Sequence, residues 1–216
     1  MNPLIGKSGQ STHRLEDERL LKGKGRFIDN LNFKGQAYMH IVRSYSANAK
    51  LNIKNSKEVK KRSGVLDVFT GKDLMEDKIL PIPITIPFKR PGGCSALSDP
   101  YHALSQGTVR YVGQPLAIVV AESMEQALQA ADSLEVEYEE YAAVTDLLEA
   151  TKTEAPLLCS DLPDNIAAYE TLGNQKKLEE IFSNAHHITR MELINNRLVG
   201  TPLEPRGLIC YSDPED

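Results

Sequence analysis

The chain has 216 residues, of which 41% are hydrophobic and 25% are charged, and this composition argues against a disordered or fibrous protein. The net charge of −5 disfavours a nucleic-acid backbone as the main partner, and no apolar run approaches the roughly 20 residues that cross a bilayer. The N-terminus shows no apolar signal region, and the widely spaced cysteines form no C-x-x-C pair. We therefore predict a cytoplasmic protein with reduced thiols, no nucleic-acid partner and no membrane span.

Hydrophobic periodicity and turn residues predict a series of short elements in the first half of the chain. In chain order they are a helical turn ended by Gly23, strands over 36–43 and 51–54, a basic helix over 56–63, a strand over 65–69 and a capped helix from Thr70. The 36–43 strand carries bulk on both faces, which is typical of a central strand. Residues 79–100 are rich in proline and glycine, and they predict a long loop.

Regular patterns return at Gly107 and predict a compact α/β unit. Its elements are strands over 108–112, 116–121 and 134–139, with a helix that begins at Ser123. The 116–121 run is wholly apolar, so we expect it to be buried on both faces, whereas the 134–139 strand alternates apolar and acidic residues and has one wet face.

The chain beyond residue 141 has a different character. It predicts a short helix over 144–150, an amphipathic helix over 174–185 with Leu178, Ile181 and Phe182 facing inward, and strands over 187–195 and 208–211. About fifty residues are too few for a comfortable core of their own. The last predicted strand is followed by a turn and no return strand. We therefore expect an α/β (α+β) domain followed by an incomplete second piece.

Several polar groups could carry chemistry, and each also has a structural explanation. They are the glycine and lysine turn Lys22–Arg26, the basic patch Lys57, Lys60, Lys61 and Arg62, the pair His186 and His187, the acidic row Glu135, Glu137, Glu139 and Glu140, the loop thiol of Cys94, and the loop over 200–207. The turn lacks P-loop spacing, and adjacent histidines on a strand point to opposite faces. The acidic row is expected to repel and to stay solvated. The sequence around Cys94 contains no histidine and predicts no helix N-terminus that would activate the thiol.

The loop over 200–207 is the most unusual of these segments. Prolines stiffen the chain on both sides of Glu204, and Arg206 follows two residues later. The rigid backbone could place either charge at an interface or at the mouth of a cavity. A structural turn with a local ion pair explains the same pattern. No catalytic triad, H-E-x-x-H motif or dinucleotide fingerprint is present.

Several segments together resemble one family. They are, in the order of the chain, residues 14–30, 40–50, 109–122, 135–144 and 196–207. The strongest runs from Val109 to Glu122. In this order they resemble the large subunits of molybdenum hydroxylases, the aldehyde oxidase/xanthine dehydrogenase group, with the nearest likeness to aerobic carbon monoxide dehydrogenase. The resemblance covers residues 14 to about 212.

The resemblance implies a domain organisation. Residues 1–19 would be a lead-in, 20–143 an α/β hammerhead domain, 144–164 a linker, and 165–216 the incomplete start of a molybdenum-cofactor-binding domain. It also implies oxidation of a small substrate (carbon monoxide, an aldehyde or an N-heterocycle) with water as the oxygen source. Electrons would pass from molybdopterin cytosine dinucleotide to an iron–sulfur small subunit and an FAD-binding medium subunit.

The resemblance assigns no catalytic, cofactor-binding or metal-binding residue to this chain. Glu204 and Arg206 match a family segment without acquiring a role from it. We therefore expect the N-terminal part of a large subunit, which is architectural and which binds no cofactor and has no activity without the remainder. The alternatives are a free-standing, non-catalytic interaction or assembly module with the same fold, and a small nucleotide-binding protein that uses residues 23–26.

Overall fold

The computed structural model describes residues 14–83, 89–90, 100–159, 162–196 and 198–212. The contacts divide the chain into two units. The terminal unit comprises Met1–Gln36 and Arg190–Asp216, and the sheet unit comprises Ala37–Thr189. In the terminal unit, α1 is Asp17–Leu21, and a 3-10 turn follows at Ile28–Asn30.

The sheet unit contains short strands joined by short helices. The strands are β1 Tyr38–Arg43, β2 Ala49–Ile53, β3 Val65–Thr70, β4 Thr108–Val109, β5 Pro115–Ala121 and β6 Val136–Glu140. The helices are α2 Ser56–Val59, α3 Gly71–Glu76, α4 Met124–Asp132 and α5 Gln175–Ser183, with a 3-10 turn at Glu149–Thr151. Among the described residues, no helix is both long enough and apolar enough to span a membrane.

The strands form two antiparallel sheets, and successive strands alternate between them. One sheet has the order β1-β5-β3 and the other β4-β2-β6. As predicted, residues 116–121 form a strand, and β5 is the middle strand of its sheet. The predicted burial is complete on the face of Ala117, Val119 and Ala121, whereas on the other face Ile118 and Val120 are only partly buried. The central position predicted for β1 is wrong, since β1 lies at the edge of its sheet in the described part of the chain.

The first sheet is covered on one face by α4. The N-cap of α4 is Ser123, whose Oγ accepts a hydrogen bond from the Gln126 N–H at 3.2 Å, as the sequence predicts. Ala130 and Ala131 of this helix pack with Val119 of β5 in the main core cluster. Small residues allow the helix to approach the sheet closely, and this packing forms the larger of the two apolar cores.

The second core belongs to the other sheet. Ala49 and Val109 are fully buried together with Leu116 of β5, and Leu51 and Tyr138 pack against them. The wet face predicted for the 134–139 strand is present, because β6 turns its glutamates outward while Val136 and Tyr138 face this core.

A capping box begins α3. Thr70 donates to Asp73 Oδ2 from both its backbone N–H and its hydroxyl, at 2.6 Å each. Burial alone would raise the pKa of Asp73, but these hydrogen bonds and the positive charge of Lys60 lower it below its ordinary value. Gly71 is the first residue of α3, and its backbone lies close to the backbone of Ser105. A Cβ at this position would lie 2.0 Å from the Ser105 carbonyl oxygen.

Several predicted elements differ from the structure. The helix expected over 56–63 ends at Val59, the strand over 108–112 ends at Val109, and the helix over 144–150 is replaced by the Glu149–Thr151 turn. Residues 187–195 and 208–211 are not strands in the described part of the chain. A strand is held by its ladder partner, and these segments pair with no described neighbour.

The helix α5 forms where it was predicted, with Asn174 as its N-cap, but its apolar face does not point inward. Leu178, Ile181 and Phe182 are 50%, 55% and 56% exposed. The amphipathic pattern is therefore real, and the described residues do not cover it.

Candidate functional site

The loop over 203–207 and the 3-10 turn at Ile28–Asn30 enclose a pocket within the terminal unit. Its volume is about 180 Å³, and it is lined by Phe27–Asn30 and Leu203–Gly207. Glu204 Oε1 accepts a hydrogen bond from the Ile28 N–H at 2.9 Å, across 176 residues of sequence. A Cβ on Gly207 would lie 3.1 Å from Ile28 Cγ2, so the backbone of the loop approaches the turn closely.

The carboxylate of Glu204 fastens two segments of backbone together. It is half-buried and engages Ile28, whereas no described ion pair joins it to Arg206. The structure therefore replaces the expected local ion pair with a long-range hydrogen bond. Arg206 is exposed at the rim of the pocket with Asp29. The pocket is smaller than the roughly 300–1,000 Å³ that is usual for ligand sites, so its geometry favours a structural joint.

Two of the basic candidates, Lys22 and Lys60, have local ion-pair partners. Gly23 ends α1 with φ +66°, a left-handed conformation, and Lys22 pairs with Glu18 one turn earlier. Lys60 forms an ion pair with Asp67 at 2.7 Å. The glycine turn is thus a helix stop, as the structural explanation expected.

The acidic row behaves differently from the prediction. Glu137 pairs with Lys54 at 2.8 Å, and Glu139 approaches Lys50 to 4.0 Å across the β2–β6 ladder. The glutamates remain solvated, but cross-strand lysines compensate their repulsion.

The other candidates form no site in the described residues. His187 Nε2 lies 3.2 Å from Thr189 Oγ1, and both histidines are exposed. Within the described ranges, no group of three or more His, Cys, Asp or Glu side chains could hold a metal ion. Cys94 lies outside the described residues, and Cys159 and Cys210 form no disulfide.

A buried arginine clamp escaped the sequence analysis. Arg90 is only 9% exposed, and its guanidinium donates to Asp164 Oδ1 at 2.6 Å and to the Ile166 carbonyl. The Ile166 N–H and then Arg90 lower the pKa of Asp164 below its ordinary value. Tyr169 N–H also donates to the Lys89 carbonyl at 2.6 Å. Residues 164–169 are therefore held against 89–90, within the sheet unit. The only available signal was an arginine inside a proline-rich segment.

The comparison with protein families decides the relationship. Residues 22–142 match the family model described as the aldehyde oxidase and xanthine dehydrogenase a/b hammerhead domain. The chain belongs to the aldehyde oxidase and xanthine dehydrogenase family. This match, together with the mixed α/β sheets, confirms the fold class and the family resemblance that the sequence predicted.

Individual members of the aldehyde oxidase and xanthine dehydrogenase family match most of the chain. The nicotine 6-hydroxylase large subunit of Paenarthrobacter nicotinovorans is 32% identical over 96% of this chain and 24% of its own length. The crystal structure of quinoline 2-oxidoreductase from Pseudomonas putida 86 is 34% identical, with a TM-score of 0.59, over 74% of this chain and 20% of that one. The structure of a Cu,Mo-CO dehydrogenase is 26% identical, with a TM-score of 0.61, over 83% of this chain and 23% of that one.

The chain thus spans about a quarter of the length of the curated relatives that it matches.

Proposed function

We propose that these residues serve as the hammerhead-containing part of the large subunit of a molybdenum hydroxylase. The observation that carries the proposal is the match of 96% of the chain to 24% of a nicotine 6-hydroxylase large subunit. A segment that is colinear with a quarter of such a subunit is expected to contribute architecture to it. Its role is to pack on the cofactor-binding part and to help form the subunit contacts.

The complete enzyme would oxidise a small substrate and take its oxygen from water. Nicotine and quinoline are nitrogen heterocycles, and identity with the two relatives that act on them, 32% and 34%, exceeds the 26% with CO dehydrogenase. An N-heterocycle is therefore the first proposed substrate class, ahead of an aldehyde or carbon monoxide. The proposed partners are an iron–sulfur small subunit and an FAD-binding medium subunit, in the cytoplasm.

The cofactor proposed for the complete enzyme is molybdopterin cytosine dinucleotide. The described residues do not fit this group, because they offer no cluster of metal ligands and their pocket of about 180 Å³ is too small for a dinucleotide. We therefore assign no catalytic, cofactor-binding or metal-binding role to any described side chain. The remaining part of a large subunit would supply the site, and this chain alone is predicted to be inactive.

The exposed apolar residues of the terminal unit favour this proposal over a free-standing module with the hammerhead fold. In the described residues after 190, the side chains that are 73–88% exposed are Met191, Leu193, Ile194, Leu198, Val199, Leu203, Leu208 and Tyr211. An independent soluble module rarely exposes so dense an apolar segment, since such patches mark interaction sites.

Affinity purification of the chain from its source cells, with a tag on the chain, tests the proposal. We expect stoichiometric molybdenum, iron and flavin to accompany peptides of the residues that complete the large subunit, and none of these groups on the recombinant 216-residue chain. Recovery of a stable, monodisperse 216-residue protein without molybdenum or partners from the source cells would establish the free-standing module instead.

A further inference from the structure

A short segment that follows β6 in the chain is held by one buried cation. We call residues 162–169 the strap. Arg90 is 9% exposed, and its guanidinium donates to Asp164 Oδ1 at 2.6 Å and to the Ile166 carbonyl oxygen at 2.5 Å. These two strap residues lie 74 and 76 positions further along the chain than the arginine. The strap is therefore fastened to a segment that is distant in sequence.

Hydrogen bonds, and not apolar packing, hold the strap in place. None of the residues 162–169 is fully buried. At the end of the strap, the Tyr169 N–H donates to the Lys89 carbonyl oxygen at 2.6 Å, while the tyrosine itself is 60% exposed. Segments with few buried apolar contacts are the ones that open locally without global unfolding. We therefore expect the strap to open far more readily than the two sheets.

The strap also organises the loop that precedes it. Asn165 Oδ1 accepts a hydrogen bond from the Leu158 N–H at 2.9 Å, and Asn165 Nδ2 donates to the carbonyl oxygens of Ala150 and Pro156 at 3.1 and 3.0 Å. Asn165 lies between the two strap residues that Arg90 binds. The arginine thus fixes the position of the residue to which the preceding loop is attached.

The burial of Arg90 makes its contact with the strap all-or-none. A guanidinium keeps its charge in a protein, and a buried charge that has lost its partner is strongly destabilising. If Asp164 moved away, the arginine would have to leave its buried position for water. A half-open arrangement is therefore unfavourable, and the strap and the segment around Arg90 are expected to separate as a unit.

We propose that Arg90 latches the strap, so that the strap, the loop attached to Asn165 and the segment at 89–90 open and close in one cooperative step. The residues that the sequence predicts as a linker, 144–164, are then not a free hinge, because their end is either closed on the sheet unit or released from it. The latch would operate in a free-standing module as well as in a large subunit.

Hydrogen exchange of the Arg90→Met variant tests the latch. The protein is purified from its source cells in whatever assembly it forms. The reporters are the amides of Tyr169 and Leu158, because the substitution alters neither of their acceptors. We expect both amides to exchange at least tenfold faster, and by the same factor, while the amides of β5 keep their rates. Arg90→Lys keeps the charge without the planar fork, so its rates should be intermediate.

A matched pair of aspartate substitutions gives a second measurement. Asp164 and Asp146 each accept a hydrogen bond from the N–H two residues later, but in the described part of the chain only Asp164 binds Arg90. Asp164→Ala should speed trypsin cleavage after Lys89 at least fivefold, whereas Asp146→Ala should leave it unchanged. Neither substitution alters the bond that is cut.

Three outcomes would overturn the latch. Different factors for the Tyr169 and Leu158 amides, or no change in either, would show that these hydrogen bonds open independently. An equal acceleration of the β5 amides would show that Arg90 stabilises the whole sheet unit and not a local strap. Equal cleavage after Lys89 in the two aspartate variants would show that the strap does not protect the segment at 89–90.

Discussion

The packing of Leu116 offers a quantitative test of how the second sheet is stabilised. Its side chain is fully buried against Ala49 and Val109. Leu116→Ala removes about 2.4 kcal/mol of transfer free energy, and the cavity left behind raises the expected loss of unfolding free energy to about 3 kcal/mol. Urea denaturation of the 216-residue chain, followed by far-UV circular dichroism, should show a midpoint lowered by about 1.5 M at an m-value near 2 kcal/mol/M.

The matched control for this substitution is Leu147→Ala, since Leu147 is 77% exposed. It should change the free energy of unfolding by less than about 0.5 kcal/mol. If Leu116→Ala lowers the free energy of unfolding by less than about 1 kcal/mol at an unchanged m-value, the small core of the second sheet contributes less to stability than its burial indicates. The reasoning from burial to stability would then be wrong for this sheet.

Three further substitutions or titrations test local features. Gly71→Ala should destabilise the sheet unit by about 2–3 kcal/mol in thermal unfolding, because its Cβ would lie 2.0 Å from the Ser105 carbonyl; unchanged stability would contradict this backbone approach. Glu204→Ala should speed hydrogen exchange of the Ile28 amide about fivefold, and Glu204→Gln less, because its amide oxygen still accepts. The pKa of Asp73 lies below its ordinary 3.8, so its contribution is present above about pH 4 and is lost as the pH falls through the lowered value. Urea titrations should show a shallower acid loss in Asp73→Asn, and an identical acid limb would contradict that assignment.

Local signals predicted the centre of the sheet unit well. The apolar run of β5 and the cap at Ser123 are each specified within a few residues, and both elements are found where the sequence places them. The bulk on both faces of β1 predicts a central strand, whereas β1 lies at the edge of its sheet in the described part of the chain. An apolar face indicates that its side chains are to be buried. It does not indicate whether a neighbouring strand or another layer of the protein buries them.

The candidate site was predictable only in part. The prolines on either side of Glu204 indicate an unusual, rigid loop. The hydrogen-bond partner of Glu204 is the Ile28 backbone N–H, and a backbone donor cannot be recognised from the sequence. The Arg90 clamp was missed for the same reason, since it joins Asp164 and the Ile166 carbonyl across a long loop. Contacts of this kind depend on topology, which periodicity does not reveal.

The alternation of strands between the two sheets has a consequence for synthesis. The middle strand of the first sheet, β5, is made after both of its neighbours, and roughly 50 residues separate the ends of β3 and β5. At elongation rates of about 5–20 residues per second, β3 waits about 3–10 s for the strand that joins it to β1, and β1 waits longer. The second sheet is completed only by β6, at Glu140. All three strands of the first sheet are therefore synthesised before the last strand of the second sheet, so the first sheet can form first on the ribosome, and until β5 is made β1 and β3 lack the strand that pairs with both.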